Sequence, residues 1–402
     1  MADSSTPGST TKPSSTMTTA PMNQNQLSGG KGILLKADPI AHQFRAEVQS
    51  SLSTLSHNGK RKPKLVGILA TSSSPSRYYA EFTRKQCEEL GFEFELRRTG
   101  AALNEEGDSE VAKEGEGEKK RLGEGEGVEE VIVEANEDES VDGIMVYYPI
   151  FGAQQDHYLQ QIVSPLKDVE GLHFKFHYNL YHNIRFLDPK SLLTAALTSA
   201  PHGTATTDNA GDQPPAGMVK SIIPCTPLAI VKCLEYVGVY NRLLPYGDRA
   251  YGRIVTVINR SEVVGRPLAA LLANDGARVL SVDIDSIQEY TKRPRIPSTS
   301  TSTSTSTSAS ERYNPRHVVH PSPLSLQECL AISDVVISAV PSASYKVKTE
   351  WLKDGCICLN VAADKNFEKD VRDKAAIYIP AVGKVTILML LRNLLRLQEY
   401  RA

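Results

Sequence analysis

Two hydrophobic periodicities alternate along the chain. Short apolar and β-branched runs, bounded by Gly, Pro and polar turns, read as strands, several of them apolar on both faces. Between them lie amphipathic stretches with the 3.6-residue period of a helix. The pattern predicts helices over 37–55, 78–90, 128–136, 158–163 and 226–237, and strands over 64–70, 92–96 and 143–148. Gly91 closes the second of these helices and Pro149 ends the third strand. A strand over 254–258, a helix over 264–274 stopped by Gly276, and a strand over 278–282 then form one βαβ unit. Strands follow over 334–340, 357–361 and 377–379. The last helix, 385–397, carries a broad apolar face of Ile387, Leu388, Leu390, Leu391, Leu394 and Leu395. Such alternation specifies an α/β protein of parallel sheets covered by helices on both faces.

The pattern breaks in four places. Residues 1–30 are rich in Ser, Thr, Pro, Gly and Asn and are expected to be a disordered tail. Segments 104–127 (Glu-Gly pairs), 189–220 (Ala, Thr, Gly, Pro) and 293–323 (with a Ser-Thr alternation over 298–308) read as surface insertions. None holds enough apolar surface to offset its ordering entropy. A domain boundary is expected near 238–252, separating a first domain of 31–240 from a second of 241–383.

The βαβ unit carries the first chemical signal. Asn259-Arg260-Ser261 form a polar turn after the strand, with Ser261 and Glu262 placed to cap the helix that follows. A helix N-terminus there, opening at Val264 and Gly265, suits a pyrophosphate. Asp283 ends the second strand, eighteen residues beyond Gly265, near the ~20 of dinucleotide-binding units. An acid at that point accepts from ribose hydroxyls and repels a 2′-phosphate, which favours NAD over NADP. The GxGxxG pattern is absent, so the unit alone is also compatible with a ligand-free βαβ.

Composition narrows the classes further. The 402 residues carry a net charge of −2, with no basic balance for nucleic acid or acidic membranes. No apolar run reaches the ~20 residues of a membrane span, and residues 1–30 hold no hydrophobic signal core or arginine. The six cysteines contain no CxxC and are expected to be buried thiols in a reducing compartment. A cytoplasmic protein without nucleic-acid or membrane partners is the expectation.

Several motifs carry a family resemblance. NRSEVVGRP (259–267) resembles the GRSxxVGxP turn of the methylenetetrahydrofolate dehydrogenase/cyclohydrolase family, with Asn259 at the usual glycine. VDGIMVYYP (141–149) resembles its GILVQLP strand, KDVEG (167–171) its KDVDG, and PCTP (224–227) matches unchanged. YAEFTRKQCEELG (79–91) resembles the YxxxKxKxxEEhG helix, and VGKVT (382–386) a worn PGGVGPMT loop. The resemblance implies an N-terminal αβα folate-binding domain, a C-terminal Rossmann-type domain, and a final helix (384–402) returning to the first domain. It also implies a homodimer acting on 5,10-methylenetetrahydrofolate, with or without a polyglutamate tail, and no metal.

Roles follow by the same resemblance. Tyr79 stacks on the aminobenzoyl ring of the folate and Glu170, in place of aspartate, accepts from the pterin edge. Thr83 stands where bifunctional members carry the catalytic lysine, and Tyr147 where they carry its glutamine partner. Threonine supplies neither a cation nor a tunable amine. Lys85 matches the motif's second lysine and is the alternative source of an amine, although at i+2 it points to another helix face. Asn259, Arg260, Ser261, Val264, Gly265, Asp283, Val340, Pro341 and Thr386 are the cofactor candidates. Lys167 and Asp168 read as surface charges, and His173, His177 and His182 as too irregularly spaced for a metal site. The whole implies a monofunctional NAD-dependent dehydrogenase making 5,10-methenyltetrahydrofolate for purine synthesis. A bifunctional NADP-dependent enzyme and a non-catalytic folate- or NAD-binding regulator are the alternatives.

Overall fold

In a computed structural model, residues 30–57, 59, 61–104, 121–194, 213–293 and 314–401 are described. The 1–29 tail, most of the three insertions and the Ser-Thr run lie outside them. The first half comprises β1 (Ile33–Leu34), α1 (Ala37–His57), β2 (Lys64–Leu69), α2 (Ser74–Leu90), β3 (Glu93–Arg98), α3 (Val128–Glu137), β4 (Gly143–Val146), α4 (Ala153–Ile162), α5 (Phe174–Tyr181), β5 (Phe186–Leu187), β6 (Val219–Lys220) and α6 (Cys225–Tyr236). The second comprises β7 (Ile254–Ile258), α7 (Gly265–Asn274), β8 (Arg278–Val282), β9 (Ile287–Thr291), β10 (Val318–Pro321), α8 (Leu326–Ile332), β11 (Val335–Ser338), β12 (Ile357–Asn360), β13 (Ile377–Ile379) and α9 (Gly383–Glu399).

Three sheets organise these elements. A parallel sheet of order β3-β2-β4 lies in the first half, and β5 pairs antiparallel with β6. The large sheet runs β1-β13-β12-β11-β7-β8-β9-β10. It is parallel from β1 to β8, while β9 and β10 add an antiparallel ribbon at one edge. That ribbon is an antiparallel addition to the expected parallel sheet. β10 lies inside the stretch read as the 293–323 insertion, and β6 with the Pro189–Leu193 3₁₀ turn lies inside 189–220. The ends of both segments are therefore ordered structure.

Two other departures have local causes. α2 begins four residues before the expected Tyr78, because Pro75 occupies its first turn where a missing N–H costs nothing. α5 falls in the His-rich stretch, and His173 caps it by accepting from Lys175 N. β1 pairs with β13, so the chain's first described strand belongs to the large sheet and not to the first domain. α9 packs against α1 and α6, which returns the C-terminus to the first domain. Among the described residues no helix is long and apolar enough to cross a membrane.

Lys167 and Asp168 correct the surface reading directly, since both are buried. Lys167 Nζ donates to the carbonyls of Ala135, Asn136 and Asp138 at 2.7–2.9 Å, satisfying the orphan acceptors at the end of α3. Lys167→Met should lower the unfolding free energy by about 2–3 kcal/mol. Urea denaturation of parent and variant checks this; equal midpoints and slopes would mean that water serves those carbonyls equally well.

Candidate functional site

Both candidate clusters form at the carboxyl ends of parallel strands, where the chain leaves a sheet and its loops are free to hold ligands. The first gathers around β4. An isolated bridge pairs Ile144 with Asp168, and Ile144 N donates to Lys167 O at 2.8 Å. The KDVEG segment is thereby laid alongside the strand. The Asp168 carboxylate then accepts the N–H groups of Glu170, Gly171 and His173 at 2.8–3.1 Å and curls the chain into a turn. Gly171 has φ +74°, and a Cβ there would stand 2.8 Å from Pro224 N, so only glycine lets the PCTP segment close in. Cys225 N donates to Glu170 O at 3.0 Å.

This turn delivers Glu170 beside Tyr147. Glu170 Oε2 accepts from Val146 N at 3.0 Å. Burial pushes its carboxyl up to about 8, with the Asp168 charge adding to the shift. Burial likewise raises Asp168 to about 6 against the pull of its N–H donors. Tyr147 is 2% exposed and lies over Gly67 of β2, where an added Cβ would come within 3.0 Å of its ring and hydroxyl. The half-buried Tyr79 meets Tyr147 edge to face, with centroids 6.1 Å apart at 86°, and stacks on Phe82 at 6.2 Å. Such pairs fix ring orientation as well as adding contact. The hydroxyls of Tyr147 and Tyr148 are buried without a hydrogen-bond partner among the described residues. Burial holds the Tyr79 and Tyr147 phenols above their usual range.

Thr83 lies fully buried against Tyr147, and its Oγ1 donates to Tyr79 O at 2.8 Å. Lys85 is not brought to the cluster. Its side chain is 61% exposed and stands 3.7 Å from Glu81 on the outer face of α2. The three histidines also separate. His173 caps α5, His177 packs near Tyr181, and His182 stacks on Tyr178 at 3.9 Å. Burial lowers His173 and His177 to about 4, so both are neutral.

The second cluster surrounds the turn after β7. Asn259 adopts φ +81°, the left-handed conformation that asparagine tolerates better than most residues. Its Nδ2 donates to Ala339 O at 2.6 Å. A Cβ on Gly265 would stand 1.7 Å from Asn259 O, so this glycine lets the turn and α7 touch. Ser261 Oγ accepts from Val264 N and Gly265 N at 3.3 and 3.4 Å. A glycine-permitted turn running into a helix start, with Asp283 at the end of the adjacent β8, fits a dinucleotide. Val340 is half-buried and Pro341 exposed at the end of β11. Thr386 is buried in the first turn of α9, with its hydroxyl on Val382 O at 3.3 Å.

Some supports escaped the sequence reading. Asn366, fully buried, accepts from Val340 N and donates to Val340 O, both at 3.0 Å. Nothing in its loop signalled that, because the contact joins distant segments. Cys225 and Asp168 sat in visible motifs but had no role assigned.

Two wound sheets, one ending in a tyrosine-carboxyl cluster and the other in a nucleotide-type turn, define a two-domain dinucleotide-dependent enzyme. The model of the tetrahydrofolate dehydrogenase/cyclohydrolase catalytic domain matches residues 35–170. The NAD(+)-dependent methylenetetrahydrofolate dehydrogenase of Schizosaccharomyces pombe is 45% identical over 340 residues, covering 84% of this chain and 86% of that protein. Its Saccharomyces cerevisiae counterpart is 43% identical over 371 residues, covering 91% and 96%. The solved structure of the NAD-dependent 5,10-methylenetetrahydrofolate dehydrogenase from S. cerevisiae matches with a TM-score of 0.72 at 41% identity, covering 92% of this chain and 98% of that one. The chain belongs to the tetrahydrofolate dehydrogenase/cyclohydrolase family, on its NAD(+)-dependent methylenetetrahydrofolate dehydrogenase branch.

Asn259 offers a direct test of the turn. Asn259→Ala should cost about 1–3 kcal/mol of stability by placing at positive φ a residue that tolerates it less well than asparagine and by removing the bond to Ala339. Asn259→Gly should recover the backbone part only. Thermal melts of the three proteins should rank parent, Gly, Ala; an Ala variant as stable as the parent would refute the strain.

Proposed function

We propose that this protein oxidises 5,10-methylenetetrahydrofolate to 5,10-methenyltetrahydrofolate with NAD, and that it does not hydrolyse the product. The observation that carries the second half is the buried Thr83–Tyr147 contact. Hydrolysis needs a group that activates water and moves a proton. Thr83 is neutral and its proton is committed to Tyr79 O. Tyr147 stays protonated, and the amine of Lys85 faces solvent.

Hydride transfer asks less of the chain. NAD, when bound, accepts the hydride that leaves the methylene bridge. The protein's task is to hold substrate in place and keep water out. Tyr79 offers a ring face for the aminobenzoyl group and Glu170 a carboxyl for the pterin edge. Asp283 accepts from the ribose hydroxyls, and Asn259, Arg260, Ser261, Val264 and Gly265 form the turn under the pyrophosphate. Val340, Pro341 and Thr386 flank the cofactor side, with Val340 fixed by Asn366. In the same proposal the enzyme is a homodimer that supplies one-carbon units for purine synthesis.

Parallel assays should show methylenetetrahydrofolate-dependent reduction of NAD well above that of NADP. Methenyltetrahydrofolate should decay at its spontaneous rate. Thr83→Lys alone should restore little hydrolysis, and Thr83→Lys with Tyr147→Gln more than the sum of the singles. Hydrolysis by the parent would overturn the reading.

Glu170 predicts a pH dependence. Its carboxyl, at about 8, is neutral in the free protein near neutrality. Pterin N–H donors favour the ionised form, so binding below pH 8 must release a proton. Affinity for the folate should therefore strengthen as pH rises towards 8 and level off above it. Glu170→Gln should flatten that profile; a parallel slope in both proteins would assign it to another group.

A further inference from the structure

Arg260 occupies an unusual position for a cofactor contact, because its guanidinium is already engaged. Nε donates to Ser281 Oγ at 3.0 Å and Nη2 to Ser281 O at 2.6 Å. Nη1 donates to Ser286 Oγ and Nη2 to Ser286 O, both at 3.0 Å. Four of its N–H groups thus point at the protein, out of the five a guanidinium has. The two serines flank Asp283: Ser281 lies in β8, fully buried, and Ser286 closes the turn beyond. Asp283 N donates to Ser286 O at 2.9 Å, so one carbonyl receives both the turn's own N–H and the arginine. The Asp283 carboxylate accepts from Ile284 N at 2.9 Å, and the Ile284 side chain is 96% exposed. Without the guanidinium, this short exposed turn would be held by little beyond those two local bonds.

We propose that Arg260 is a positioning residue, not a cofactor ligand: tethered by Ser281 and Ser286, it locks the 283–286 turn so that the Asp283 carboxylate is presented to the ribose. The same tether decides dinucleotide choice twice over. It fixes the acid that a 2′-phosphate would meet, and it withdraws the nearby cation that would otherwise offset that repulsion. Lysine could not replace it, because a single ammonium cannot fork between the two serines. The inference rests on the proposed use of NAD and extends it to how the preference is built.

The test compares Arg260→Lys with the double variant Ser281→Ala/Ser286→Ala, which keeps the arginine but removes two of its acceptors. NAD and NADP dissociation constants are measured by calorimetry on the full chain, with KM and kcat for each cofactor alongside. Arg260→Lys should weaken NAD binding about tenfold. The serine pair should weaken it severalfold, and in both variants the NAD-to-NADP affinity ratio should fall. A merely structural arginine would lower the amount of folded protein without moving that ratio. Parent-like constants in the serine variant would overturn the proposal. So would an equal loss of both cofactors on Arg260→Lys with the serine variant unaffected, which would make Arg260 a pyrophosphate ligand. If Arg260→Lys does not fold, the serine variant decides alone. A parent that binds neither dinucleotide would overturn the proposed function and this inference with it.

Discussion

The side chain of Asn393, fully buried in α9, donates from Nδ2 to Val169 O and to Ile223 O, each at 3.0 Å. Those carbonyls belong to the segments that carry Glu170 and Cys225. A buried backbone carbonyl left without a donor is costly, so the amide settles how far apart the two segments stand. The apolar face of α9, with Leu390, Leu391 and Leu394 fully buried, holds the amide in place. Asp168 and Gly171 complete the arrangement, one by gathering three N–H groups and the other by admitting the proline. The geometry around Glu170 and Cys225 is thus imposed by α9.

Burial also sets the chemical character of the cluster around Glu170 and Tyr147. It raises Asp168 and Glu170, lowers His173 and His177, and keeps the tyrosine phenols protonated. Near neutral pH Glu170, His173 and His177 are therefore neutral and the phenols protonated, while Asp168 keeps its charge among its N–H donors. That suits a step in which a hydride passes between bound partners and no water is split. It works against any step that must form and stabilise hydroxide, since a neutral carboxyl and protonated phenols offer neither a ready base nor a positive counter-charge.

Elements built on periodic apolar residues were plainly legible in the sequence. β7, β8 and β13 appear with the boundaries expected of them, because each is a short apolar run closed by a polar or glycine turn. The βαβ unit and the motifs around Tyr79, Tyr147 and Glu170 were legible for the same reason: their spacing is local. What stayed hidden was long-range. No pattern marks β1 as a partner of β13, Asn366 as the clamp on Val340, or Lys167 as the cap of α3. Charge misled at Lys167 and Asp168, where polarity suggested solvent and hydrogen bonding allowed burial. Ribbon β9–β10 was missed because half of it borders a low-complexity stretch.

β1 and α9 give the molecule an order of assembly. Ile33 takes its register from Ile377, and α1 packs chiefly against α9, with α2 a smaller neighbour. β1 and α1 therefore complete their packing only once β13 and α9 are in place. A chain still on the ribosome can form β2 to β4 and begin the large sheet, but it exposes the apolar side of α1 until α9 arrives. Contacts of such sequence separation close slowly. Removing even a few turns of α9 would leave α1 without its main packing partner.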